Sequence, residues 1–152
     1  MICVDNVVDL NDLVSVAERL ATKAMNGFMA FLYGNLGAGK TTFVQSYLRA
    51  KGYEGLVKSP TYSIVEPYVI GDATVYHLDL YRLGSPEDLF NIGFEDFLSP
   101  SAQLFIEWPE KANGVLPQPD IEIHLSSMTN LSLRKLKIIA VSAKASRIVT
   151  DF

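Results

Sequence analysis

The segment Gly34-Asn35-Leu36-Gly37-Ala38-Gly39-Lys40-Thr41 satisfies the pattern G-x-x-x-x-G-K-[ST] at every fixed position and follows the apolar run Phe28-Met29-Ala30-Phe31-Leu32-Tyr33. That order leaves a chain few options: a buried strand has to run into a glycine turn that opens a helix. Glycines let successive backbone N–H groups turn toward an anion without a Cβ clash, and the helix N-terminus adds partial positive charge. Lys40 can then reach the outer phosphates of a nucleoside triphosphate, and the Thr41 hydroxyl can ligate magnesium. The expected nucleotide-binding residues are therefore Asn35, Leu36, Gly37, Ala38, Gly39, Lys40, Thr41 and Thr42. A glycine turn present for backbone reasons alone, with Lys40 solvated, is the competing reading. It leaves the full motif in its strand-and-helix setting unexplained.

From Thr41 to Lys51, Phe43, Val44, Tyr47 and Leu48 recur at helical spacing, and Gly52 supplies the stop. Upstream, Leu13, Val16, Ala17, Leu20, Ala21 and Ala24 predict another helix, with Asp9 or Asn11 as its N-cap and Gly27 as its end. Tyr62 to Ile70 and Ala73 to Tyr81 are rich in aromatic and β-branched residues on either side of Gly71-Asp72, which predicts an antiparallel hairpin. Ser85-Pro86-Glu87-Asp88 offers an N-cap, a proline at the first helical position and acids in the first turn, so short helices follow. Gln103 to Trp108 reads as a strand buried on both faces. Pro109 to Pro119 is a loop, and Ile121 to Leu125 with Leu131 to Val141 form a closing strand pair. The tail from Ser142 carries no clear pattern.

The 152 residues suffice for one core, and a single domain over 1–152 is the expectation. A net charge of −4 speaks against direct electrostatic binding of nucleic acid, so any route to RNA would pass through a partner. Cys3 is the sole cysteine, which rules out an internal disulfide and suits a reducing compartment. The opening residues carry Asp5, Asp9 and Asp12 rather than a basic region, and no apolar run approaches about 18 residues, so neither a leader nor a membrane span is expected.

Two acids stand where they could serve a magnesium–triphosphate. In Ala73 to Arg82, period-2 alternation puts His77, Asp79 and Tyr81 on one face and Tyr76, Leu78, Leu80 and Arg82 on the other. Asp79 is either a carboxylate near the γ-phosphate or an aspartate at the solvent-facing end of the hairpin. Glu107 follows Leu104-Phe105-Ile106, so a carboxylate emerges at the carboxyl end of a buried strand, the edge where open parallel sheets bind ligands. It is a natural magnesium ligand, or else a charge that marks the strand end before Pro109. Thr61, in Ser59-Pro60-Thr61-Tyr62, is a candidate switch hydroxyl that senses the γ-phosphate, or part of a Ser-Pro turn. Trp108 serves a docking surface or fills the core. His77 alone is more commonly a packed imidazole than a catalyst, and with only His124 beside it a histidine-rich metal site is not expected.

Taken in order, Gly34 to Thr42, Ser59-Pro60-Thr61-Tyr62, His77-Leu78-Asp79-Leu80-Tyr81-Arg82 and Ile106-Glu107-Trp108-Pro109-Glu110-Lys111 resemble the bacterial TsaE family, also called YjeE. The loop alone is shared by many NTPases; H-x-D-x-Y-R and E-W-P-E at these separations are far more discriminating. The resemblance implies a three-layer α/β fold of the P-loop NTPase type, with a mixed sheet, an antiparallel hairpin and helices on both faces. It implies a cytoplasmic ATPase needed, with TsaB and TsaD, to form threonylcarbamoyl-adenosine in tRNAs that read codons beginning with A. Such a protein docks on the TsaB–TsaD assembly, meets tRNA only through it, and hydrolyses ATP weakly alone. By the same resemblance Lys40 holds phosphates, Thr41 and Glu107 ligate magnesium, Asp79 assists hydrolysis, and Thr61, Tyr81 and Trp108 belong to switch and partner-facing surroundings. Ser142-Ala143-Lys144-Ala145-Ser146 departs from the family, whose members often carry glycines after the last strand; Arg134-Lys135-Leu136 remains a candidate approach to the base.

Three rivals share the loop. A small-metabolite kinase needs an acceptor pocket and usually an arginine-rich lid, yet the chain has five arginines and no such segment. A GTP switch needs an [NT]-K-x-D segment after the loop, and none follows it. A nucleotide-gated adaptor would bind ATP to order a docking surface without needing turnover.

Overall fold

In the computed structural model, which describes residues 1–150, the elements in chain order are β1 (Ile2–Val8), α1 (Leu10–Lys23), β2 (Phe28–Tyr33), α2 (Lys40–Ala50), β3 (Val65–Ile70), β4 (Ala73–Asp79), α3 (Asp88–Asn91), β5 (Ala102–Glu107), β6 (Ile121–Ser127), β7 (Arg134–Ala140) and α4 (Ala143–Ile148), with 3₁₀ turns at Phe94–Phe97 and Pro109–Ala112. The strands form one seven-stranded mixed sheet in the order β1-β7-β6-β2-β5-β4-β3. β6, β2, β5 and β4 run parallel, and β1, β7 and β3 are antiparallel to their neighbours.

The near-continuous apolar runs of β2 and β5 place them in the interior of the sheet, as strands covered on both faces should be. Phe28, Ala30 and Leu32 of β2 face a core shared with Leu13, Ala17 and Leu20 of α1, Phe43, Val44, Tyr47 and Leu48 of α2, and Ala145 and Ile148 of α4. Met29 and Phe31 point the other way, into a second core with Leu78, Leu80, Leu89, Phe94, Leu104 and Ile106. Helices thus lie on both faces, three on one and the short α3 with its 3₁₀ neighbours on the other.

Local signals hold the elements in place. Asp9 caps α1: its carboxylate accepts from Asp12 N–H at 2.8 Å, and Asp12 accepts from Asp9 N–H at 3.1 Å. The helix stops at Lys23 and not at Gly27, which instead turns the chain at φ 73° and donates to Ala102 O. Gly71 (φ 59°) and Asp72 join β3 to β4, pairing Ile70 with Ala73. The hairpin arms are shorter than expected, because Tyr62–Ser63 lie in a turn and the chain leaves β4 after Asp79. Tyr81 therefore leaves the His77–Asp79 row and is 41% exposed. Ser85 does not cap α3, whose N-cap position is Glu87 without a side-chain hydrogen bond; instead Asp88, the first residue of the helix, accepts Ser85 N–H at 3.0 Å.

Two elements lie outside the expectations. β1 is an edge strand on which only Val4 and Val8 are buried, with an irregularity between Ile2 and Val4. α4 occupies the stretch after Ser142, whose hydroxyl accepts from Ala145 N–H at 3.1 Å as an N-cap. Residues 151–152 of that tail lie outside the described residues.

Within the first core, Tyr47 is fully buried and its phenol donates to the buried Gln103 side-chain oxygen at 2.5 Å. Burial pushes the Tyr47 phenol well above its usual pKa, so it stays a donor. Replacing it, Tyr47→Phe, strands the Gln103 oxygen; stability should fall by about 1–3 kcal/mol. Urea unfolding checks this, and an unchanged midpoint would refute it.

Candidate nucleotide-binding site

All four parallel strands end at one edge of the sheet, and β2 delivers the glycine loop there. Gly34 has φ 154° and a Cβ built on it would lie 2.5 Å from Leu125 O of β6; the loop is pressed against its neighbour strand. Gly37 (φ 78°) and Gly39 (φ 110°) take left-handed conformations, and Gly39 stands at the N-cap of α2. A Cβ at Gly39 would meet Arg134 Nε and Leu13 Cδ2 at 3.2 Å. Arg134, from the start of β7, donates through Nε to Ala38 O at 2.9 Å, so an arginine braces the loop from 96 residues downstream.

Lys40 begins α2 at 4% exposure. Its ammonium donates to Gly34 O and to Asn35 O, the latter at 3.3 Å, and lies 4.3 Å from the centroid of the Trp108 ring. Burial lowers its pKa, while Glu107, Asp79 and Glu110 pull in the opposite direction.

Asp79 and Glu107 are register partners at the ends of β4 and β5, 6% and 3% exposed. That excludes the solvent-facing alternative for Asp79. Burial raises its pKa; a hydrogen bond from Tyr81 N–H at 3.0 Å opposes the shift, and the charge of Glu107 reinforces it. Glu107 Oε2 accepts the Thr41 hydroxyl at 3.0 Å and lies 2.5 Å from His77 Nε2.

A cleft of about 190 Å³ opens over these groups, lined by Leu36 to Thr42, Thr61, Asp79, Glu107, Trp108 and Arg134. Of the expected site residues it gathers all but Asn35 and Tyr81. Asn35 lies just before the lining residues, its carbonyl accepting from the Lys40 ammonium. Tyr81 lies one ring further out, 4.9 Å from Trp108, with the Lys111 ammonium 5.6 Å from it. Thr61 shares a 2.7 Å hydrogen bond with Ser59.

Two non-glycine residues hold left-handed backbone here: Ile64 (φ 69°), whose carbonyl accepts Asp79 N–H at 2.8 Å, and Trp108 (φ 56°), directly after Glu107. A β-branched residue and an indole in that region store strain, which typically collects at functional clefts. No sequence signal marks Ile64. The sequence offers Arg134 only within a candidate approach to the base, and nothing in it signals the bond to Ala38 O. The arrangement gathers a glycine loop at a helix N-terminus, an ammonium, a hydroxyl and two carboxylates in one small cleft, groups that could hold a phosphorylated ligand.

Residues 7–136 match the family described as Threonylcarbamoyl adenosine biosynthesis protein TsaE. The chain is 40% identical over 124 residues, 82% of its length, to tRNA threonylcarbamoyladenosine biosynthesis protein TsaE of Haemophilus influenzae, covering 77% of that protein. It is 35% identical over 134 residues to the Rickettsia felis protein of that name, covering 88% of this chain and 77% of the relative. For the Bacillus subtilis protein of that name, identity is 30% over 116 residues, 76% of this chain and 72% of the relative. The crystal structure of Bacillus subtilis YdiB superposes with a TM-score of 0.72 at 24% identity, over 97% of this chain and 93% of that one, and shares the fold.

Because Gly34 has no room for a side chain, Gly34→Ala should destabilise the fold by about 2 kcal/mol or more, the range of mutations that strain a special backbone conformation. Thermal melting measures it, and a melting temperature equal to that of the unaltered chain would show that β6 yields freely.

Proposed function

The chain belongs to the TsaE family, and from that membership and the cleft we propose that it is the ATP-hydrolysing component of the machinery that forms threonylcarbamoyl-adenosine in tRNAs reading A-starting codons. The observation that carries the proposal is the Thr41 hydroxyl held on the Glu107 carboxylate at 3.0 Å, in the cleft that contains Lys40 and Asp79. It joins the loop to the acid at the strand end, the pairing a magnesium–triphosphate requires.

The donors suit magnesium. Thr41 and Glu107 offer hard oxygens, and no group of three or more His, Cys, Asp or Glu side chains among the described residues is placed to cage a metal ion by itself. Magnesium usually takes one or two carboxylates, substrate phosphates and water in place of a complete protein cage. Thr41 and Glu107 would hold it, and it would supply charge stabilisation to the phosphoryl group during its transfer.

The chain's own residues divide the remaining work. Backbone N–H groups from Asn35 to Thr42 receive the phosphates, and Lys40 leaves the carbonyls of Gly34 and Asn35 to neutralise the outer ones. Asp79 accepts a hydrogen bond from the attacking water; its raised pKa suits a group that takes up a proton. Thr61 reports the γ-phosphate to the segment before β3. Cleavage of the terminal phosphoanhydride transfers the phosphoryl group to water, giving ADP and inorganic phosphate.

We place all of this in one cytoplasmic domain that docks on TsaB–TsaD and resets that assembly for further turnovers, meeting tRNA only through it. The exposed Tyr81, tilted against Trp108, sits where the cleft meets that partner. Among the described residues no helix is long and apolar enough to cross a membrane. The threonylcarbamoyl transfer itself belongs to the partners.

Magnesium-dependent ATP turnover should be low for the chain alone and rise clearly on adding TsaB–TsaD. Equal rates would instead favour a stand-alone hydrolase or kinase. Lys40→Ala should keep its fold and bind ATP about tenfold to a hundredfold more weakly, as expected for a lost charged hydrogen bond; unchanged affinity by calorimetry refutes the site. Glu107→Gln should bind ATP, fail to turn it over and fail to sustain the tRNA modification in cells. Normal modification levels in that variant would point to the adaptor reading.

A further inference from the structure

His77 is fully buried and has no part in the steps above. It sits in β4 two residues before Asp79, opposite Phe105 of β5 and diagonal to Glu107. Its Nε2 is 2.5 Å from Glu107 Oε2, the oxygen that also accepts the Thr41 hydroxyl at 3.0 Å. A carboxylate has only lone pairs to offer, so Nε2 carries the proton in this pair. The other ring nitrogen, Nδ1, is buried without a hydrogen-bond partner.

That orphan atom decides between two roles. A buried polar atom left unpaired costs about 1–3 kcal/mol, and a leucine would fill this space without that cost. Packing alone therefore does not account for an imidazole here. The Nε2 contact does. With two donors on one oxygen, the Glu107 side chain has little rotational freedom left to lose when a ligand arrives.

We propose that His77 is a positioning residue, whose Nε2–H fixes the Glu107 carboxylate against Thr41 in the orientation that holds magnesium. The inference rests on the assignment of Glu107 to the metal made above. Histidine–carboxylate pairs that orient a metal ligand typically alter metal affinity or activity by about 10–100-fold when broken.

The test is calorimetric titration of the full chain with ATP, first in EDTA and then in excess magnesium. In His77→Leu, affinity without magnesium should match that of the unaltered chain, while the tightening produced by magnesium should fall about tenfold. His77→Gln, whose amide nitrogen reaches the place of Nε2, should recover most of it; His77→Asn, which reaches only as far as Nδ1, should not. If the leucine variant fails to fold, the glutamine and asparagine pair supplies the comparison. Ring-nitrogen NMR provides a readout independent of nucleotide: His77 should show an exchange-protected Nε2–H signal that moves upfield in Glu107→Gln. Magnesium tightening that survives all three substitutions overturns the inference and leaves the site intact. Absence of any magnesium effect in the unaltered chain removes the metal assignment of Glu107, and the role of His77 with it.

Discussion

An ammonium group at 4% exposure is the constraint around which this end of the molecule is organised. Lys40 cannot be taken out of water unless something replaces its hydration. Two loop carbonyls, the face of Trp108 and the fields of Glu107, Asp79 and Glu110 share that task. They come from the glycine loop, β4, β5 and the turn after β5, so these must converge with α2 on one point. The dependence runs both ways, because the carboxylates at the ends of β4 and β5 are themselves buried and need the cation, the Thr41 hydroxyl and the His77 ring as company. A cleft built this way resists removal of single members, since each departure leaves an uncompensated charge behind.

Backbone strain is the second cost of the arrangement. Ile64 and Trp108, both at positive φ, flank the two carboxylates. The first aims its carbonyl at the amide of Asp79; the second lets the chain leave β5 so that an indole covers Lys40. Neither conformation would survive alone. The packed sheet below holds both.

How much of this could be read from the residues follows from whether a signal is local. The glycine loop, α2, β2 and β5 were legible because their determinants sit next to one another: fixed glycines, a 3.6-residue period, an unbroken apolar run. The hairpin was legible from its composition and its two-residue turn, though its ends were not, because alternation of Tyr, Leu and Asp continues past the point where the chain turns away. β1 escaped because Asp5-Asn6 interrupt its apolar residues and an edge strand with only two buried side chains lacks alternation. α4 is too short to display a period, and only the Ser142 cap hints at it. In the cleft, Asp79 left two readings open, since burial of a strand end depends on neighbours 28 residues away. The hold of Arg134 on Ala38 is a contact across 96 residues, which no window of sequence contains.

The seat of the loop on β6 and its brace from β7 have a consequence for biosynthesis. Chains are made from the N-terminus and fold as their parts emerge. The G-x-x-x-x-G-K-T run leaves the ribosome early, yet the carbonyl against which Gly34 rests belongs to Leu125, and the guanidinium that holds Ala38 belongs to Arg134. Until β6 and β7 emerge the chain therefore carries the complete motif without a formed loop, and until β5 is made β2, an unbroken apolar strand, has neither of its sheet neighbours. The shape of the loop is acquired only once β6 and β7 have emerged, as a property of the assembled sheet rather than of the eight residues that advertise it.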